Sequence, residues 1–285
     1  MDTKNREEAP LRVAIQGVAG CFHDAAAREY FASVPQGIDT IGFDSFPDLF
    51  EAVRHDASLL GIVAIENTIA GSILGNHELL REGDVRIIGE HKKRISHVLC
   101  ALPGQSLEEI AEVRSHPMAL MQCEQWLRRH PGMKMVETFD TAGSAREIAM
   151  KGSRGEAAVC GEYAAGLYGL EILARGIETN KRNFTRFLII ADPLMAAELG
   201  PGPMEADKAS VMFTLPHSRG ALAKVLAIFS FYDINLSKIQ SAPIIGREWE
   251  YRFYVDLTFG NAVRYHQAIE AVRPLINDLR VLGEY

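Results

Sequence analysis

The chain has 285 residues, 47% of them hydrophobic and 24% charged, with a formal net charge of −7. That length asks for two or three folding units, and the acidic balance lacks the basic stripe of a nucleic-acid binder, so no nucleic-acid partner is expected. The longest apolar runs, such as LLGIVAI at 59–65, are far too short to span a bilayer, so no membrane partner is expected either.

In chain order, the opening MDTKNREEAP has no apolar core, so it reads as a tail and not as a secretory leader. LRVAI (11–15) predicts a strand ending in the loop Gly17–Gly20, and HDAAAREYF predicts the helix after it. IDTIGF (38–43) reads as a second strand, and Pro47 suits the first turn of a helix through Phe50 and Val53. LLGIVAI has the continuous apolar, β-branched pattern of a strand covered on both faces. VRIIGE (85–90), HVLCAL (97–102) and EVRS (112–115) follow as strands, then a helix from Pro117 to about His130 with Leu120, Cys123 and Leu127 on one face. A helix over 141–150, the run AAVCG (157–161) and the strand RFLIIA (186–191) complete this region. Strands alternating with helices imply an α/β fold with a largely parallel sheet.

Composition then shifts. DPLMAAELGPGPMEADK (192–208) carries three prolines and two glycines and reads as a linker. Beyond it come a strand (208–215), an apolar helix (220–232), strands at 234–242 and 248–257, a helix (262–276) whose apolar face includes Val263, Ile269, Val272 and Ile276, and a closing RVLGEY. The order β-α-β-β-α-β is the ferredoxin-like arrangement. The four cysteines, Cys21, Cys100, Cys123 and Cys160, form no C-x-x-C pair and read as reduced thiols of a cytoplasmic protein. None of the nine histidines has metal-ligand spacing: there is no H-E-x-x-H, and His91 and His97 do not share a helix face, so no metal is expected.

Several ordered stretches together resemble the prephenate dehydratase family with a C-terminal ACT regulatory domain. They are GVAGCFHDAA (17–26), AIENTIAGS (64–72), SHPMALMQC (115–123), DTAGSA (140–145), AAVCGEYAAGLYGLEILARGIE (157–178), NFTRF (183–187), and GAL with INLSKIQSAP (220–222, 234–243). The resemblance implies a two-lobed, periplasmic-binding-protein-like catalytic region at 1–193, with lobe 1 at about 10–90 and 184–193 and lobe 2 at about 91–183. It further implies a linker at 194–206 and an ACT domain at 207–285. The reaction implied is loss of water and CO2 from prephenate to give phenylpyruvate, on the route to phenylalanine. No cofactor is implied, and the site is expected in the cleft between the lobes. A chorismate mutase module is not expected, since the N-terminal stretch leaves no room for one.

Such chemistry needs a donor at the departing ring oxygen and cations or N–H groups for two carboxylates. Thr185 is expected to polarise the leaving hydroxyl. Arg186 binds or orients a carboxylate, or braces the site from behind, and Phe187 begins the buried strand. Asn67 stands at a strand end, where open α/β sheets bind ligands, with an amide that donates and accepts. Ser115 is expected to cap the following helix, to offer a hydroxyl beside its free N–H groups, or to do both at once. Gln122 either reaches the cleft or is an exposed polar position, and Thr141 is either an N-cap or an anion ligand. Glu66 is as much a structural as a catalytic candidate. Gly17 and Gly20 form a tight turn near the substrate. Cys21 and Met118 depart from residues usual in the family and bear on pocket shape.

In the C-terminal part, Gly220, Ala221, Leu222, Asn235, Leu236, Gln240 and Ser241 match the stretches that bind phenylalanine in the family. Gln240 and Ala242 replace two charged residues there, which bears on the strength of inhibition by an L-phenylalanine effector. Binding between paired ACT domains implies a homodimer or homotetramer. Three rivals stand beside this reading: an arogenate dehydratase, suggested by DTAGSA; a non-catalytic amino-acid sensor, opposed by Thr185, Asn67, Ser115 and Gln122 occurring together; and a nucleotide-dependent oxidoreductase, resting only on Gly17-x-x-Gly20 and Asp44.

Overall fold

The computed structural model describes residues 9–202, 204–248 and 250–285; most of the expected tail, 1–8, lies outside them. The first elements are β1 (Leu11–Gln16), α1 (Phe22–Tyr30), β2 (Ile38–Phe43), α2 (Phe46–His55), β3 (Leu59–Asn67), β4 (Gly71–Ser72), α3 (Leu74–Glu82) and β5 (Arg86–Arg94). Residues 59–65 of β3 are buried throughout, as a doubly covered strand requires. Helix α3 was not expected. Its buried residues are Asn76, His77 and Leu80, so it lacks the apolar stripe that reveals a helix in sequence.

Next come β6 (Val98–Ala101), a 3-10 turn, β7 (Glu112–Ser115), α4 (Pro117–Gln122), α5 (Glu124–Leu127), β8 (Lys134–Glu137), α6 (Thr141–Lys151), β9 (Glu156–Cys160), α7 (Glu162–Leu167) and β10 (Glu171–Arg175). Their five strands run in the order β10-β6-β9-β7-β8. This sheet is mixed and not largely parallel: β10–β6 and β6–β9 are antiparallel, while β7 lies parallel to β8 and β9. Its core gathers Leu99, Val113, Leu120, Cys123, Leu127 and Val159. The single helix expected from Pro117 to His130 is two helices. The Gln122 carbonyl accepts from Thr179 N (2.8 Å), while Trp126 N turns back to the Cys123 carbonyl in a tighter bond, so the α ladder opens at Cys123. Leu120, Cys123 and Leu127 nonetheless share the buried face.

β11 (Phe184–Ala191) starts two residues before the expected 186, which puts Thr185 inside the strand. α8 (Pro193–Leu199) lies in the segment read as a linker, with Asp192 accepting from Met195 N (2.9 Å) as N-cap and Pro193 opening the first turn. The chain ends with β12 (Lys208–Thr214), α9 (Ala221–Phe231), β13 (Asn235–Pro243), β14 (Tyr251–Thr258), α10 (Ala262–Val272), a 3-10 turn and β15 (Asn277–Glu284). Here the expected βαββαβ order holds. Its strands lie β13-β14-β12-β15, with each pair antiparallel. Val211, Phe213, Val225, Phe229, Tyr265 and Ile269 fill the core, while Val263, expected inward, is exposed.

The remaining strands run β2-β1-β3-β11-β5, with β4 on β3. By packing, the chain forms two compact units. One comprises Met1–Leu49, Ile62–Gly71 and His91–Phe187; the other comprises Phe50–Gly61, Ser72–Glu90 and Leu188–Tyr285. Among the described residues, no helix is long and apolar enough to cross a membrane.

Candidate active site

Within the first unit, the end of β3 meets the start of β11. Asn67 Oδ1 accepts from two backbone donors, Ile69 N and Ala70 N, both at 2.9 Å. Since an N–H only donates, the oxygen of this amide is fixed and its NH2 faces the other way. Asn67 Nδ2 donates to Thr185 Oγ1 (3.0 Å), to Asn183 Oδ1 (2.7 Å) and, more weakly, to the Phe184 carbonyl (3.2 Å). With its oxygen accepting from Asn67, Thr185 keeps its own hydrogen to give away, and no acceptor for it stands among the described residues. Thr185 is 8% exposed. A donor whose oxygen is anchored in so dry a place stabilises developing negative charge far better than one in water.

Asn183 is fully buried at 0% exposure, and its Nδ2 donates to Gln122 Oε1 (3.0 Å). That oxygen also lies 3.0 Å from His97 Nε2. Gln122, at the end of α4, therefore reaches the network through its oxygen, and no protein group among the described residues takes its Nε2. His97 is 2% exposed, and its backbone N–H donates to Glu178 Oε2 (2.9 Å). Burial holds the His97 pKa below its ordinary value, against the opposing influence of Gln122 and Glu178. Loop 176–183 carries Glu178 and Asn183, and it is tied down by Thr179 N to the Gln122 carbonyl and by Ile95 N to the Asn183 carbonyl, both 2.8 Å.

Thr185, Asn67 and Gln122, expected together, thus belong to one hydrogen-bonded chain. Asn183, His97 and Glu178 belong to it as well and were not singled out in sequence. Ser115 stands apart. It is 0% exposed, its hydroxyl donates to the Val159 carbonyl (2.6 Å), and the N-cap of α4 is His116, whose Nδ1 accepts from Met118 N. The cap is thus His116 and not Ser115, and the Ser115 hydroxyl hydrogen is spent bracing β7 against β9. The N-cap of α6 is Asp140 and not Thr141; its carboxylate accepts from Gly143 N (2.6 Å). Thr141, half-buried in the first turn, keeps a hydroxyl without a protein partner among the described residues. Burial raises the Asp140 pKa, and a Cβ built on Gly17 would stand 3.0 Å from its Oδ2.

Gly17 and Gly20 both have positive φ, 104° and 88°, the region that favours glycine. Gly20 N donates to Asp24 Oδ2 (2.7 Å), anchoring the turn to α1. Cys21 is buried, and desolvation pushes its thiol up to about 12, so it is inert filling beside that turn. Arg186 and Phe187 continue β11 and are buried; Phe187 meets the His23 ring edge-on at 5.0 Å. Glu66, half-buried, precedes Asn67 on β3. Among the described residues, no group of three His, Cys, Asp or Glu side chains is arranged to hold a metal ion.

In the second unit, Gly220 has φ 74° at the start of α9, and Ala221, Leu222 and Leu236 pack partly buried on the core. Asn235 Nδ2 donates to Thr258 Oγ1 (3.2 Å), and Gln240 Nε2 to the carbonyl of Ser241 (2.8 Å).

The family model described as prephenate dehydratase matches residues 13–194. The chain is 36% identical to arogenate dehydratase/prephenate dehydratase 2 of Arabidopsis thaliana, over 96% of its own length and 72% of the relative's. The solved prephenate dehydratase of Arthrobacter aurescens, in complex with L-Phe, is similar with a TM-score of 0.81 at 30% identity, covering 96% of this chain and 89% of that one. A structure described as GqqA, a novel type of quorum quenching acylase, is similar with a TM-score of 0.81 at 28% identity, covering 95% of this chain and 96% of that one. With these matches and the Thr185–Asn67–Gln122 network, the chain belongs to the prephenate dehydratase family of lyases.

Proposed function

We propose that the chain converts prephenate to phenylpyruvate, and that the observation carrying this reading is the Thr185 hydroxyl, whose oxygen accepts from Asn67 while its hydrogen has no acceptor among the described residues. In the reaction the ring carbon–carboxylate bond breaks and CO2 departs. Its electron pair passes through the ring and expels the ring oxygen, and aromatisation makes the step downhill. Thr185 donates a hydrogen bond to that oxygen as charge grows on it and retains its proton; the departing hydroxide is protonated by solvent. Asn67 holds Thr185 in place. Gln122 Nε2 and the Thr141 hydroxyl supply donors for substrate oxygens, and Arg186 binds a carboxylate or braces the strand. Phe187 supports the site from the core, and Gly20 and Cys21 shape the adjoining turn.

The functional division follows the chain: a catalytic region at 1–193 built as two binding-protein-like lobes, a linker at 194–206, and an ACT domain at 207–285. The contiguous βαββαβ elements support the last of these. L-Phenylalanine is the proposed effector, at Gly220–Leu222, Asn235, Leu236, Gln240 and Ser241, in a homodimer or homotetramer; the bound L-Phe of the Arthrobacter aurescens relative supports that choice. Four free, buried cysteines, with Cys100 and Cys160 paired thiol to thiol by a 3.3 Å hydrogen bond and not by a disulfide, support a cytoplasmic setting.

Because a relative carries both names, prephenate and arogenate are to be assayed in parallel with purified protein and no added cofactor. Phenylpyruvate from prephenate is the expected product. Phenylalanine from arogenate alone would keep the mechanism and change the substrate, and neither product would sink the enzymatic reading.

A further inference from the structure

The polar chain at the site has a direction, and the direction has consequences beyond Thr185. It starts at Ile69 N and Ala70 N, which fix the Asn67 oxygen. Asn67 Nδ2 must then face the Asn183 oxygen, Asn183 Nδ2 must face the Gln122 oxygen, and the Gln122 oxygen must meet a donor on His97. Turning any one amide over sets donor against donor and acceptor against acceptor at its contacts. Only the His97 tautomer with hydrogen on Nε2 completes the chain.

The other ring nitrogen agrees. His97 Nδ1 is buried and has no hydrogen-bond partner among the described residues, which suits a bare lone pair better than a stranded N–H. The ring is held by the edge of Phe22, with centroids 5.4 Å apart at 87°, and the backbone by Glu178. Among the described residues, the arrangement leaves two donors without a protein acceptor, the Thr185 hydroxyl and the Gln122 NH2 group.

We propose that His97 and Asn183 are positioning residues that lock the Gln122 amide with its oxygen inward, so that its NH2 faces the substrate. This rests on the dehydratase reading above. With the lock removed, the Gln122 amide turns freely and offers an oxygen to an anionic substrate for part of the time.

The test compares His97→Leu and His97→Gln, each with Gln122 intact and with Gln122→Ala, by kcat and KM on prephenate and by thermal unfolding. His97→Leu is expected to lower kcat/KM by about 10- to 100-fold. His97→Gln, whose amide still donates to the Gln122 oxygen, is expected to recover to within about fivefold of the starting protein. In the Gln122→Ala background, His97→Leu is expected to cost less than about twofold, because a positioning residue has nothing left to position. Undiminished cost in that background overturns the proposal, as does normal activity of His97→Leu or failure of His97→Gln to recover. Should His97→Leu not fold, Asn183→Asp carries the same test: its carboxylate has no N–H for the Gln122 oxygen, and full activity in it overturns the lock. The tautomer is decided apart from turnover by 15N NMR of the unaltered protein. Hydrogen on His97 Nε2 supports the lock and hydrogen on Nδ1 refutes it, even if the protein is silent on prephenate, which would count against the dehydratase reading alone.

Discussion

Thr185 sits where its hydroxyl oxygen accepts from Asn67 and its hydrogen is left to donate. Thr185→Ala is expected to cut kcat by on the order of a hundredfold with little change in KM, while Thr185→Ser keeps most of the rate. Steady-state kinetics decides it, and near-normal turnover in the alanine variant removes Thr185 from the leaving-group role. Residues of this kind were legible as types in a motif. Thr185 and Asn67 stand in stretches whose order carries the family resemblance, and Gln122 does too. Asn183 opens the quoted NFTRF stretch, yet a buried asparagine before a strand looks like any turn residue until Gln122 and Asn67 are seen on either side of it. His97 entered the sequence reading only as a histidine without metal-ligand spacing. Its partner Gln122 is 25 residues away, and sequence has no signal for such a pair.

At the scale of elements, β3 and α1 are joined through His23, whose Nε2 accepts from Ala64 N (3.3 Å). That bond requires an unprotonated nitrogen, and burial lowers the His23 pKa from 6.5 to about 4. As pH falls, the unfolded chain takes up this proton first. The stabilising contribution is therefore complete above about pH 6.5 and is lost as pH drops to about 4. The loss is on the order of 3 kcal/mol. Denaturant unfolding of the protein and of His23→Gln at pH 7, 5.5 and 4.5 checks it. The variant is expected to lose less stability across that range, and parallel curves would refute the assignment. Elements with a strong apolar period, such as β3 and the 117–130 region, were foreseen in place. Those with few buried apolar groups were not: α3 buries two polar side chains, and the edge strand β8 leaves Lys134, Met135 and Glu137 exposed. The break at Cys123 follows from a bond donated by Thr179, a residue distant in sequence.

At the scale of the whole molecule, the second unit joins distant parts of the chain through Glu78 on α3. Its carboxylate accepts from Arg252 (2.9 Å), Tyr254 (2.8 Å) and Arg81 (3.0 Å). Glu78→Ala leaves the Arg252 charge, 11% exposed, without this partner. Allowing for the partial exposure of Glu78, the expected cost is about 1–3 kcal/mol. A urea midpoint equal to that of the unaltered protein would show the cluster to be idle. By itself the sequence determined that this is an α/β chain followed by a βαββαβ segment, and which family it resembles. Periodicity and motif order are local properties, written residue by residue. Only the tertiary structure decided that the five-stranded sheet is mixed, that Ser115 is spent on Val159, and that the polar residues at 67, 97, 122, 183 and 185 form one chain with one direction. Hydrogen-bond direction depends on which donor meets which acceptor, and that is settled when segments far apart in sequence are brought to within 3 Å of each other.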